Sequence, residues 1–177
     1  MNQVATPDVH GVLTEPATLK IQRRLPGPID RVWAYLTDSE LRSRWLAAGP
    51  MEMKAGAPFE FVWRNDELTR PPGRRPPGFA EEQRMHSRIV EVDPPRKLVF
   101  TWNGSGDVSF ELEPEGNEVL LTVIHRRLPS RSTLLMVAAG WHMHLDTLVA
   151  RATGKEAAPF WDGWSRLHTE YDSRIPA

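Results

Sequence analysis

The 177-residue chain predicts an α+β fold, a curved antiparallel sheet of about six to seven strands with one long helix near the C-terminus covering its concave face. Two observations carry this. Between residues 58 and 126, short segments alternate apolar and polar residues and are parted by Pro, Gly and Asn turns, which marks a meander and not strand–helix–strand units. Residues 132–154, STLLMVAAGWHMHLDTLVARATG, then give the longest helical pattern, with Leu134, Val137, Ala138, Trp141, Leu145, Leu148 and Ala152 recurring at steps of three and four. Ser132 can cap its start and Gly154 suits a C-terminal stop.

Residues 1–13 are weakly patterned and expected to fray. Thr18–Leu25 alternates and reads as the first strand, broken by Pro26-Gly27-Pro28. Pro28 suits a first helical position, and Ile29, Val32, Trp33 and Leu36 form one helical face after it. Asp38 or Ser39 can cap a second short helix, SELRSRWL, in which Leu41 and Trp45 are four apart.

Phe59, Phe61 and Trp63 give the next strand an aromatic face. Residues 64–82 are rich in proline, glycine and charge and read as a long exposed loop outside the core, either a plain surface loop or a lid or partner contact. Gln83–Val92, Lys97–Trp102, Val108–Leu112 and Glu118–Arg126 are the remaining strands, with a hairpin turn at Asn103-Gly104-Ser105-Gly106. Pro159 opens a last helix carrying Phe160, Trp164 and Tyr171, expected to pack outside the domain or on a second subunit. The whole is read as one domain, 1–177, with a core of about 14–154 and a helical extension of about 155–177.

Composition narrows the function classes. The net charge is −1 with bases dispersed among acids, which is no nucleic-acid footprint. No apolar run is long enough for a membrane span and no signal peptide is evident, so the cytoplasm is expected. The absence of cysteine removes disulfides, thiolate metal sites and cysteine nucleophiles.

The order of elements, with Val32-Trp33, Leu41 and Trp45, RIVEVDPPRKLVFTW at 88–102, DVSFELEPEGNEVLLTVIHRRL at 107–128, GWHMHLDTL at 140–148 and PFWDGWSRLHTEY at 159–171, resembles the START-like or SRPBCC superfamily. Within it the chain is similar to bacterial homologues of the activator of heat-shock protein 90 ATPase. The resemblance implies the helix-grip (birch-pollen-allergen-like) fold and an apolar cavity between sheet and long helix. Relatives bind lipids, sterols, polyketides or hormones, and a few are cyclases or hydrolases.

Chemistry-bearing residues are sparse. His142 and His144 are two apart on a helix and point about 160° from one another, so they cannot share a metal. His142 and Asp146 are spaced for a surface hydrogen bond or ion pair. His144 borders the Trp141 stripe, and is either a donor or acid–base group facing a ligand or a boundary histidine bonded to a strand residue. His125-Arg126-Arg127 reads as a strand end with solvated charges in preference to an anion site. Ser105 in Gly-Ser-Gly lies in a hairpin and not on a nucleophile elbow.

The aromatic residues remain. They either line a chamber for an apolar or aromatic small molecule or fill the space themselves. The expected ligand-binding residues are Trp45, Phe61, Trp63, Phe100, Trp102, Phe110, Trp141, His144 and Leu145, with no catalytic residue, metal or cofactor assigned. The leading expectation is a small-hydrophobic-ligand-binding protein. The alternatives are a cyclase, aromatase or hydrolase using His144, and a co-chaperone-like module contacting partners through residues 64–82 or 160–171. A homodimer and a chaperone contact are left open as partners.

Overall fold

The computed structural model describes residues 9–103 and 106–176; Gly104-Ser105 of the expected hairpin turn and residues 1–8 of the expected frayed start lie outside the described residues. Strands β1 (Val12–Glu15) and β2 (Thr18–Pro26) form an N-terminal hairpin, followed by helices α1 (Ile29–Thr37) and α2 (Ser39–Ser43). Strands β3 (Pro58–Trp63), β4 (Gln83–Asp93), β5 (Lys97–Trp102), β6 (Gly106–Glu115) and β7 (Glu118–Arg126) come next, then helices α3 (Arg131–Thr153) and α4 (Phe160–Arg174). The sheet is seven-stranded and antiparallel, ordered β1-β2-β7-β6-β5-β4-β3.

Alternation decides which side of each strand is buried. The inward set runs across the sheet through Leu19 and Ile21, Val123 and His125, Phe110, Phe100, Ile89 and Phe61, each almost inaccessible to solvent. Register aligns these residues, with Leu98 opposite Phe110 and Phe110 opposite Val123.

Several expectations are corrected. Strand β1 falls partly within the stretch expected to fray. It is short and exposed, with no buried alternation to announce it, and is held by pairing with β2. Helix α3 is capped by Ser130, whose hydroxyl accepts from the Thr133 amide, and not by Ser132. Gly154 does end α3, in the left-handed conformation at φ 69°. Helix α2 stops at Ser43, so Trp45 lies in the turn beyond it.

The long helix is not simply amphipathic. Leu135, Ala139, His142, Met143 and Thr147 are buried along with the predicted stripe, because α4 covers the side turned away from the sheet. A helix enclosed on both sides is apolar nearly all round. Packing is close enough that a Cβ at Gly163 of α4 would overlap the Met143 sulfur.

The segment 64–82 is also more than an exposed loop. Leu68 and Thr69 are buried, next to a single 3-10 turn at Asn65–Glu67. The segment straps the start of α4: the Thr69 hydroxyl accepts from the Phe160 amide at 2.9 Å, the Pro72 carbonyl from the Trp161 amide at 2.9 Å, and Asp66 Oδ1 from the Trp161 indole at 2.7 Å. Phe79 packs on Trp161 and Trp164, with ring centroids 4.9 and 5.0 Å away. Pattern alone misses this because isolated Leu68 and Phe79 have no periodicity. The packing of the segment on α4 joins residues some ninety positions apart, which no local pattern encodes.

Candidate functional site

The expected aromatic residues do converge on the concave side of the sheet, and they touch one another. Phe61 lies 5.3 Å from Phe100, Phe100 5.3 Å from Phe110, and Phe110 5.8 Å from Trp141, all as tilted or edge-to-face pairs typical of packed aromatic cores. Trp63 and Trp102 are 5.6 Å apart, Trp102 and Trp141 5.8 Å, and Trp45 sits 6.3 Å from Phe110. Leu145 is fully buried in the same cluster. The indole of Trp45 donates to the Tyr35 carbonyl at 2.8 Å and that of Trp141 to Nδ1 of His125 at 3.1 Å.

The α3 histidines point to opposite flanks, as their spacing requires. His144 is buried beside Phe160, and its Nδ1–H donates to the Trp45 carbonyl at 2.8 Å. A carbonyl only accepts, so this histidine carries its proton on Nδ1. Its partner lies in the turn after α2 and not on a strand. Burial holds His144 down to about 4, and therefore neutral.

His142 is not at the surface. It is buried under α4, its Nδ1 2.9 Å from the Tyr171 hydroxyl and its Nε2 3.4 Å from Asp146. Burial lowers it to about 4 despite the opposing pull of Asp146. The Tyr171 hydroxyl also accepts from the Gly11 amide at 2.7 Å, and Arg23 bonds both Asp146 and the Val9 carbonyl, so this network ties the N-terminal segment to both long helices. Arg126 and Arg127 pair with Asp107 at the end of β7, a strand end with compensated charge.

Arg42 is a buried cation that composition does not reveal. Its guanidinium donates to the carbonyls of Leu36, Thr37, Ala47 and Gly49 and stands 5.3 Å from the centre of the Phe61 ring. Burial lowers its pKa to about 10, partly countered by Asp38, and it stays charged. It knots the α1–α2 turn to the loop that precedes β3. In that loop Ala48 forms a bridge with Val62, extending the edge of the sheet.

On the far side of this loop lies a cleft of about 490 Å³. Leu46, Ala47 and Leu68, all buried, form its floor, with Ala48 and Val62 beside them. Arg44, Arg64 and Glu67 are exposed at its rim, and Arg151 from the C-terminal end of α3 reaches across. Trp45, Phe61 and Trp63 neighbour its lining residues in sequence but turn to the core side. The sequence did not point to Arg44, Arg64 or Arg151, which lie just after α2, just after β3 and near the end of α3 and carry no spacing signal.

The family model described as Activator of Hsp90 ATPase homolog 1-like protein matches residues 26–153. The chain belongs to that family. Among solved structures, this Hsp90-activator-like chain is similar to a Bordetella parapertussis protein determined by solution NMR, at 34% identity over 97% of this chain and 93% of the other, with a TM-score of 0.79. It is also similar to CalU16 from Micromonospora echinospora, at 23% identity over 93% and 94% of the two chains with a TM-score of 0.67. A conserved protein of unknown function from Enterococcus faecalis matches at 18% identity over 90% and 86%, with a TM-score of 0.66. No curated protein matches. The seven-stranded sheet with its long helix is the helix-grip fold of the START-like superfamily. Among the described residues, no helix is long and apolar enough to cross a membrane.

Proposed function

We propose that this Hsp90-activator-like protein binds a small, largely apolar molecule in the cleft between the β3 edge and the C-terminal end of α3. The observation that carries the reading is the cleft itself: a concavity of about 490 Å³ in which the buried Leu46, Ala47 and Leu68 lie beneath a polar mouth of Ser43, Arg44, Arg64, Glu67 and Arg151. Small-molecule sites have this size. The ring contacts among Phe61, Phe100, Phe110 and Trp141 favour a rigid backing for that floor. An enzymatic role for His144 is less favoured, because its ring is enclosed by Phe160 and the Trp45 carbonyl.

Titration with decanol, followed through backbone amide shifts by NMR, tests the reading. Shifts are expected to cluster at Ala47, Ala48, Val62 and Leu68 and to disappear in Ala48→Trp, which fills the cleft. Saturable shifts confined to Phe100, Phe110 and Trp141 would move the site into the core, and no saturable shifts anywhere would remove it.

A further inference from the structure

The ligand's polar end has a chemistry that the cleft selects. We infer that the cleft takes an amphipathic monocarboxylate, with its apolar body on the Leu46–Leu68 floor and its carboxylate at Arg151; this rests on the cleft being the binding site. Among the lining residues three arginines, Arg44, Arg64 and Arg151, stand against one acid, Glu67.

The three are not equivalent. Arg64 is paired with Glu82 at 2.8 Å, and Arg44 has a long 3.4 Å contact with Glu40. Arg151 has no carboxylate partner among the described residues. Its guanidinium is held by two carbonyls, of Leu68 through Nη2 and of Arg44 through Nε at 3.4 Å. It is thereby fixed between the 3-10 turn and the end of α2.

Carbonyls orient a cation without neutralising it. A guanidinium has five N–H donors, and two are engaged here, so the rest of the fork can meet a planar carboxylate. The site is also partly shielded, since Arg151 is half-buried over an apolar floor, which strengthens a charge-assisted contact relative to open solvent. Glu67 on the same rim opposes a second negative charge, which favours a monoanion over a phosphate monoester. The buried floor side chains, Leu46, Ala47 and Leu68, are apolar and suit an apolar body.

Decanoate and decanol form a matched pair for calorimetric titration below their aggregation limits, with NMR shifts locating each. Decanoate is expected to bind at least about tenfold more tightly at neutral pH. That preference should shrink in Arg151→Gln, which keeps an amide donor for Leu68, and shrink less in Arg64→Gln, whose charge Glu82 already offsets and which leaves the Arg151 contacts intact. It should weaken with added salt. Equal affinity of decanoate and decanol at the cleft would overturn the carboxylate assignment and leave the site standing. Acetate binding as well as decanoate would overturn the amphipathic ligand, and no binding of either long-chain compound at the cleft would overturn both. The wild-type comparison needs no variant to fold.

Discussion

Trp141 and His125 form the polar join between the long helix and the sheet: the indole of Trp141 donates to Nδ1 of His125 at 3.1 Å, within the packed rings. An indole nitrogen can only donate, so His125 holds its proton on Nε2, the opposite tautomer to His144. Trp141→Phe therefore removes ring volume and also leaves a buried acceptor without its partner. It should destabilise by about 1–3 kcal/mol, and Trp141→Ala, which opens a cavity, by about 3–5 kcal/mol. Urea unfolding measures both. If the phenylalanine variant lost nothing, the bond would have no net value.

Acid should unfold the protein through its buried histidines. His125, His142 and His144 are each lowered by burial to about 4, against the ordinary 6.5. Between these values the unfolded chain binds the protons, so stability rises with pH across that window and falls as pH drops from about 6.5 to about 4. The steepest loss is expected there, with little change from pH 7 to 8 from these groups. His144→Leu should flatten the slope, whatever it does to stability at neutral pH. Chemical denaturation at a series of pH values reads the slope directly.

Arg42 should be intolerant of change. Its donors serve four backbone carbonyls in a buried turn, and Phe61 lies beside it. Arg42→Lys retains the charge but not the fork, and Arg42→Met leaves the carbonyls without donors. Each is expected to cost about 3 kcal/mol or more. Loss of the loop bridge between Ala48 and Val62 should accompany the change, visible as faster amide exchange at both residues.

Helix α4 is expected to be required for a folded α3. Ending the chain after Gly154 would expose Met143, Leu135 and His142 to water and remove the partner of the 64–82 strap. The shortened chain should bind hydrophobic dyes and unfold without a sharp transition. A milder probe, Trp161→Phe, gives up the Asp66 bond while keeping an apolar ring, and should cost about 1–3 kcal/mol. A cooperative, stable 1–154 fragment would instead make residues 155–177 a separable extension.

Much of this was written in local pattern. The strands of β3 to β7, the helix α1, the Gly154 stop and the divergence of His142 from His144 all follow from two periodicities, 2.0 and 3.6, and those survive because burial on one face repeats along each element. The strand aromatics Phe61, Phe100 and Phe110 share the concave face for the same reason. Tertiary structure decided what periodicity cannot encode. It placed α4 over α3, buried Leu68, packed the half-buried Phe79 on Trp161 and Trp164, and enclosed Arg42 among carbonyls. It also assembled Arg44, Arg64 and Arg151 around one cleft. None of these has a repeating neighbour in the chain. The strap under α4 and the three arginines are brought together from segments distant in sequence, and Arg42 is enclosed by nearby carbonyls that only the folded turn directs at it. An isolated side chain's burial, charge compensation and access to a ligand are set by what packs against it.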